Sequence, residues 1–130
     1  MKTHRQIVVD ALTEIVSNPI HDEVKIASYF SPAYQQYVDG KHMDYRDFIK
    51  HMAVLKTLTH QMQVTMLSIV SEGNRVCTHH RVKVEKHNGA RSEVEVMAHF
   101  TLAADRIVRC DELTRQISGD KRDHDLGSRI

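Results

Sequence analysis

Glu112 lies two residues beyond Cys110 and four beyond Val108 in a run that alternates like a β-strand. Its carboxylate is therefore expected on the same inward face as those two apolar side chains. His80 holds a similar place between Thr78 and Val82, where Val76, Thr78, His80, Val82 and Val84 share one face. A carboxylate and an imidazole on apolar strand faces are the residue types of general acid–base chemistry. Burial raises a carboxyl toward neutrality, and a neutral imidazole relays protons. Each has a plainer reading beside it: Glu112 at a rim, ion-paired with Arg81 or Arg115, and His80 as a hydrogen-bonded core residue. His51 stands at the edge of a helical apolar stripe, one turn after Phe48. From there it either reaches a pocket or caps the seam between helix and sheet.

Other chemistries fit less well. The chain has ten histidines, which raises metal binding, yet no pair has the i, i+4 spacing of a helical site or the i, i+2 spacing of a strand site. His79 and His80 are adjacent on a strand and point to opposite faces. No metal site is expected. No cofactor is expected either, because no Gly-rich phosphate loop occurs. A net charge of +1, with Arg81, Lys83 and Lys86 set among Glu85, Glu93 and Glu95, argues against nucleic acid as a partner. The opening Met1–Gln6 runs into an amphipathic segment, so neither a secretory leader nor a membrane span is expected. Cys77 and Cys110 fall in separate predicted strands without CxxC spacing, which reads as reduced thiols in a cytoplasmic protein.

The elements that must hold these residues follow from periodicity and punctuation. At 130 residues the chain fits one domain. Thr3-x-x-Gln6 is a capping box, and Val8, Ala11, Leu12, Ile15 and Val16 behind it have helical spacing up to Asn18-Pro19. A second short helix is expected from about Asp22 to Tyr29, with Val24, Ala27 and Phe30 inward, stopped by Ser31-Pro32. Tyr34–Val38 reads as a short strand closed by Asp39-Gly40. Asp44 caps a third helix whose inner stripe is Phe48, Ile49, Met52 and Leu55. From His60 the period becomes two, with strands over 60–72, 75–87, 91–103 and 106–117. Asn88-Gly89 is the strongest hairpin signal among their turns. Strands of this length are expected to twist or bulge until the sheet bends over the helices. Residues 119–130 are charged and nearly free of apolar side chains, so beyond a domain at 1–118 a loose polar tail is expected, or else one that packs across a partner subunit.

This order, α-α-β-α-β-β-β-β, resembles the nuclear transport factor 2-like superfamily and, within it, the SnoaL-like group. Tyr34-Gln35-Gln36-Tyr37 resembles a Tyr-x-Gln-His element on the first strand. Gly40 through Leu55, with Tyr45, Phe48, His51 and Leu55, resembles the third helix of that group. Gly73-Asn74-Arg75-Val76 and Asp105-Arg106-Ile107-Val108 resemble the starts of its later strands. The resemblance implies an α+β cone, three N-terminal helices packed on a strongly curved, largely antiparallel sheet around a deep cavity, in a molecule that is usually dimeric. It also implies an acid on the last strand, where Glu112 stands. Tyr37 replaces the histidine of the first-strand element and would donate to a carbonyl oxygen. Arg109 and Asp111 resemble part of the water-activating site of limonene epoxide hydrolase, provided that a bulge turns their face inward.

Two functions emerge. The first is a pocket protein for a small apolar carbonyl compound, lined by Phe48, His51, Met52, Phe100 and Cys110. If it is an enzyme, it abstracts a proton beside the carbonyl (isomerase, cyclase or dehydratase), with Glu112 as base, His80 assisting and Tyr37 as donor. The second is a non-catalytic, dimeric ligand-binding or interaction module. In either, Cys77, His79, Met97, His99 and Thr101 on the outer sheet face suit a homodimer contact.

Overall fold

The computed structural model describes residues 2–129. Met1 and Ile130, the ends of the expected domain and tail, lie outside them. Helix α1 (His4–Ala11) starts at the expected capping box and runs on as a π-helical turn, Leu12–Val16. Helix α2 (Glu23–Tyr29) is capped by Asp22, and α3 (Tyr45–Leu58) by a box between Asp44 and Asp47. Among the described residues six strands form one sheet: β1 (Phe30–Val38), β2 (Lys41–Asp44), β3 (Thr59–Glu72), β4 (Arg75–Lys86), β5 (Arg91–Ala103) and β6 (Arg106–Ser118), in the order β2-β1-β6-β5-β4-β3. The β1–β6 pair is parallel and the others are antiparallel. The register breaks at Thr59/Gln61, Met66/Ser68 and Thr101/Leu102 are the bulges that bend such long strands into a cone. No helix among the described residues is long and apolar enough to cross a membrane.

The expected α+β cone is therefore observed, with local differences. In α2 the buried side chains are Ile26 (1% exposed) and Tyr29 (8%), while Val24 is 83% exposed. Ala27 is exposed as well, whereas Phe30, also expected inward, is buried (6% exposed) as the first residue of β1. The helix ends at Tyr29, just before Ser31-Pro32 as expected, and the chain continues directly as a strand. Ser31-Pro32 lies in β1 where the register to β6 skips between Phe30 and Gln35, an irregularity that tolerates a residue lacking an N–H. Strand β2 was not expected. It pairs with β1 through Asp39-Gly40, both with positive φ (51° and 83°), the geometry of a tight hairpin turn.

Residues 119–129, expected to be loose, fold back instead over the open end of the cone. Gly119 makes the reversal possible: its φ is +112°, and a Cβ there would lie 2.2 Å from Ser92 Oγ and 2.8 Å from Ser92 Cα. Gln116 Nε2 donates to the Asp120 carbonyl at 2.6 Å, which holds the turn. Asp123 is 2% exposed; Lys86 Nζ lies 2.5 Å away and the Ser92 hydroxyl donates to it at 2.6 Å. Leu126 then enters the main apolar core.

Candidate functional site

The bent sheet, α3 and the π-helical turn enclose a cavity of about 120 Å³. Its wall is mainly apolar, with Phe48 and Met52 from α3 and Phe100 from β5. Six polar side chains reach it: Tyr34 and Gln36 from β1, His51 from α3, His80 from β4, and Glu112 and Thr114 from β6. An apolar hollow with a few convergent polar groups is the usual form of a small-molecule site.

Strand β6 explains how Glu112 comes to face inward. Ile107 is buried and pairs with Leu102, the register then shifts, and from Cys110 onward the even-numbered residues turn inward. Glu112 is half-buried, and no Lys, Arg or His among the described residues makes an ion pair with it. The two candidate partners are engaged elsewhere, Arg81 with Glu93 at 4.0 Å and Arg115 with Glu95 at 3.1 Å. Burial pushes the Glu112 carboxyl up to about 7. The Cys110 thiol, donating at 3.6 Å, pulls it partly back, and the nearby Asp39 charge adds to the rise.

The two histidines of the cavity are held neutral. Burial lowers His80 to about 4, with His79 adding a smaller push, and the His80 Nδ1 lies 3.0 Å from the Thr78 hydroxyl. Burial also lowers His51, opposed by its bond to the Arg129 carbonyl. Because a carbonyl only accepts, His51 Nδ1 carries the proton and donates over 2.5 Å, which leaves Nε2 as an acceptor. His51 thus lines the pocket and, instead of capping the seam between helix and sheet, ties α3 to the C-terminal segment.

Tyr37 is the main correction. Its side chain lies on the outer sheet face, under the Arg109 guanidinium (4.5 Å to the ring centre) and beside His42 (4.8 Å between rings). It cannot donate into the cavity. The residues of β1 that do face inward are Tyr34, Gln36 and Val38, and the Tyr34 hydroxyl donates to Gln36 Oε1 at 2.6 Å. That bond orients the Gln36 amide and leaves its N–H₂ as the donor on this wall. The signal was present in the sequence, since Gln36 sits between two apolar residues at period two. Cys110 is a second correction: it is 1% exposed and packs behind the wall, reaching Glu112 without bordering the cavity. Arg109 and Asp111 do pair, at 2.9 and 3.0 Å, but on the exposed outer face, so the hydrolase-like arrangement does not reach the pocket. Among the described residues no group of three His, Cys, Asp or Glu is placed to hold a metal ion.

Comparison with known proteins agrees with this fold. The model of the SnoaL-like domain matches residues 10–110. An uncharacterised protein of Schizosaccharomyces pombe is 33% identical over 107 residues, 82% of each chain. Similar solved structures include AclR of Streptomyces galilaeus, a proposed hydroxylase (TM-score 0.73, 15% identity, 98% of this chain and 89% of that one). An LEH-like epoxide hydrolase of M. tuberculosis is also similar (TM-score 0.72, 15% identity, 96% and 88%). So is IdmH of Streptomyces antibioticus, a proposed polyketide cyclase (TM-score 0.71, 13% identity, 89% and 93%). At such identities these structures establish the shared fold.

Proposed function

The chain belongs to the SnoaL-like domain family, with the nuclear transport factor 2-like fold, and from that premise we propose that it abstracts a proton beside the carbonyl of a small apolar molecule. The observation that carries this reading is Glu112, a carboxylate on an apolar cavity wall with no ion-pair partner among the described residues, raised to about 7. A base poised near the working pH is half ionised there and retains driving force for proton transfer. Glu112 takes the proton from the carbon next to the carbonyl, and the C–H electron pair moves to the oxygen as an enolate. The Gln36 amide, oriented by Tyr34, donates to that oxygen in the role first assigned to Tyr37. The enolate then has three outcomes. Protonated Glu112 returns the proton to a different carbon (isomerase); the carbonyl re-forms as a β C–O bond breaks and the proton leaves with that oxygen as water (dehydratase); or the enolate carbon attacks a second carbonyl of the same molecule and the proton goes to the new alkoxide (cyclase). His80 assists as a neutral hydrogen-bonding group. No cofactor is required. The free thiols Cys77 and Cys110 are in keeping with a reducing cytoplasm, where we place the protein.

The test is exchange of the α-protons of cyclohexanone in D₂O, followed by ¹H NMR. The protein should accelerate loss of those signals over buffer with a rate that rises through pH 7. Equal rates with and without protein would leave the second reading, a module that binds the ligand without turnover. One observation favours that second reading: His80 and His51 are both engaged with protein partners, Thr78 and the Arg129 carbonyl.

For the homodimer we propose the outer sheet face. Leu113 (69% exposed) and Met97 (53%) stand there beside Tyr37, Cys77 and His99. Leu113→Glu should convert a dimer to a monomer in sedimentation. A dimer that persists, or a wild type that sediments as a monomer, contradicts this.

A further inference from the structure

We propose that residues 119–129 form a strap that closes over the ligand and restricts the pocket to single-ring or short-chain carbonyl compounds. The proposal rests on the function proposed above and adds the substrate's size and its way in. Leu126 and Gly127 are part of the cavity wall. Leu126 is 5% exposed, and a Cβ on Gly127 would lie 3.4 Å from both Thr114 Cγ2 and Val38 Cγ1, so this wall is in van der Waals contact with β1 and β6. With the strap in place the space is about 120 Å³, slightly below the roughly 150 Å³ of an apolar cavity that accepts benzene. That volume sets a single ring as the upper limit and falls well short of two fused rings.

The strap is also the wall that opens most readily. The other walls are strands and helices held by continuous backbone hydrogen bonds. The strap is held mainly by side chains: Leu126, the Asp123–Lys86–Ser92 cluster, Gln116 on the Asp120 carbonyl and His51 on the Arg129 carbonyl. Segments with so few buried apolar contacts open locally at low free energy. Closure has a chemical consequence, because the Arg129 carbonyl fixes the proton of His51, a residue of the cavity lining, on Nδ1 and leaves Nε2 unprotonated. The closed strap thus completes the polar lining as well as the volume.

The test uses the full-length, ¹⁵N-labelled protein titrated with the one-ring ketone cyclohexanone and the two-ring ketone 2-decalone. The wild type should bind cyclohexanone at least about tenfold more tightly, and Leu126→Ala should abolish or reverse that preference. In the wild type, cyclohexanone should also slow amide hydrogen exchange across residues 120–129, a readout that does not depend on how the variant folds. Equal binding of both ketones by the wild type, an unchanged preference in Leu126→Ala, or strap amides indifferent to ligand would each overturn the strap while leaving the pocket reading intact. If neither ketone shifts any resonance in either protein, the function proposed above fails together with the strap.

Discussion

Replacing Glu112 by Gln is expected to slow α-proton exchange of cyclohexanone by roughly 10²–10⁴-fold, the range contributed by a positioned general base. The amide matches the carboxylate in size and keeps a hydrogen-bonding oxygen near Cys110, so ligand affinity should change little. The same substitution has a second, opposite effect. Folding raises the Glu112 carboxyl from its ordinary value of 4.5 to about 7, so between those values the folded state binds more protons than the unfolded chain. Stability is then highest below pH 4.5 and falls as pH rises through 7. The full shift corresponds to at most about 3 kcal/mol, and less here because the side chain is only half-buried. Glu112→Gln should flatten this slope and leave the variant about 1–2 kcal/mol more stable than the wild type at pH 8, read from urea melts. A variant that is less stable at pH 8 would mean that the carboxylate makes a favourable contact in the folded protein, which is inconsistent with an uncompensated base.

Asp123→Ala should cost about 2–3 kcal/mol. Removing one member of a buried ion pair leaves the other uncompensated, and the partly exposed Lys86 (22%) softens the loss by reaching water. The Ser92 hydroxyl loses its acceptor as well. Burial alone would raise the Asp123 carboxyl, but Lys86 and Ser92 together bring it below its ordinary value. The stabilisation it supplies is therefore present above the ordinary carboxylate range and disappears as pH falls through the lowered value. Wild type and variant should converge in acid. Paired thermal melts at pH 7 and pH 3 check this; a difference below about 0.5 kcal/mol at pH 7 would show that the strap is not anchored there.

What the sequence displayed and what it concealed divide along physical lines. Strands β3 to β6 were legible to within a residue or so because period-two alternation and turn residues such as Asn88-Gly89 are local signals. The inward face of Glu112 and His80 followed from the same alternation. Strand β2 was not legible, since Lys41–Asp44 contains one apolar residue, Met43, which is nonetheless 1% exposed. Tyr37 was misassigned because a motif position was trusted over the alternation of Tyr34, Gln36 and Val38. The fold of residues 119–129 was beyond local reading. Its anchors are one leucine, one ion pair and glycines, and their partners Lys86, Ser92 and His51 lie far away in the chain.

The central claim is that a single carboxyl facing the cavity titrates near neutrality, and the most direct measurement is a ¹³C NMR titration of the glutamate carboxyl carbons from pH 3 to pH 9. The resonance that disappears in Glu112→Gln should have its inflection near pH 7, well above the other glutamates. An inflection in the ordinary range around 4.5 would show a solvated Glu112 and would contradict its role as the base.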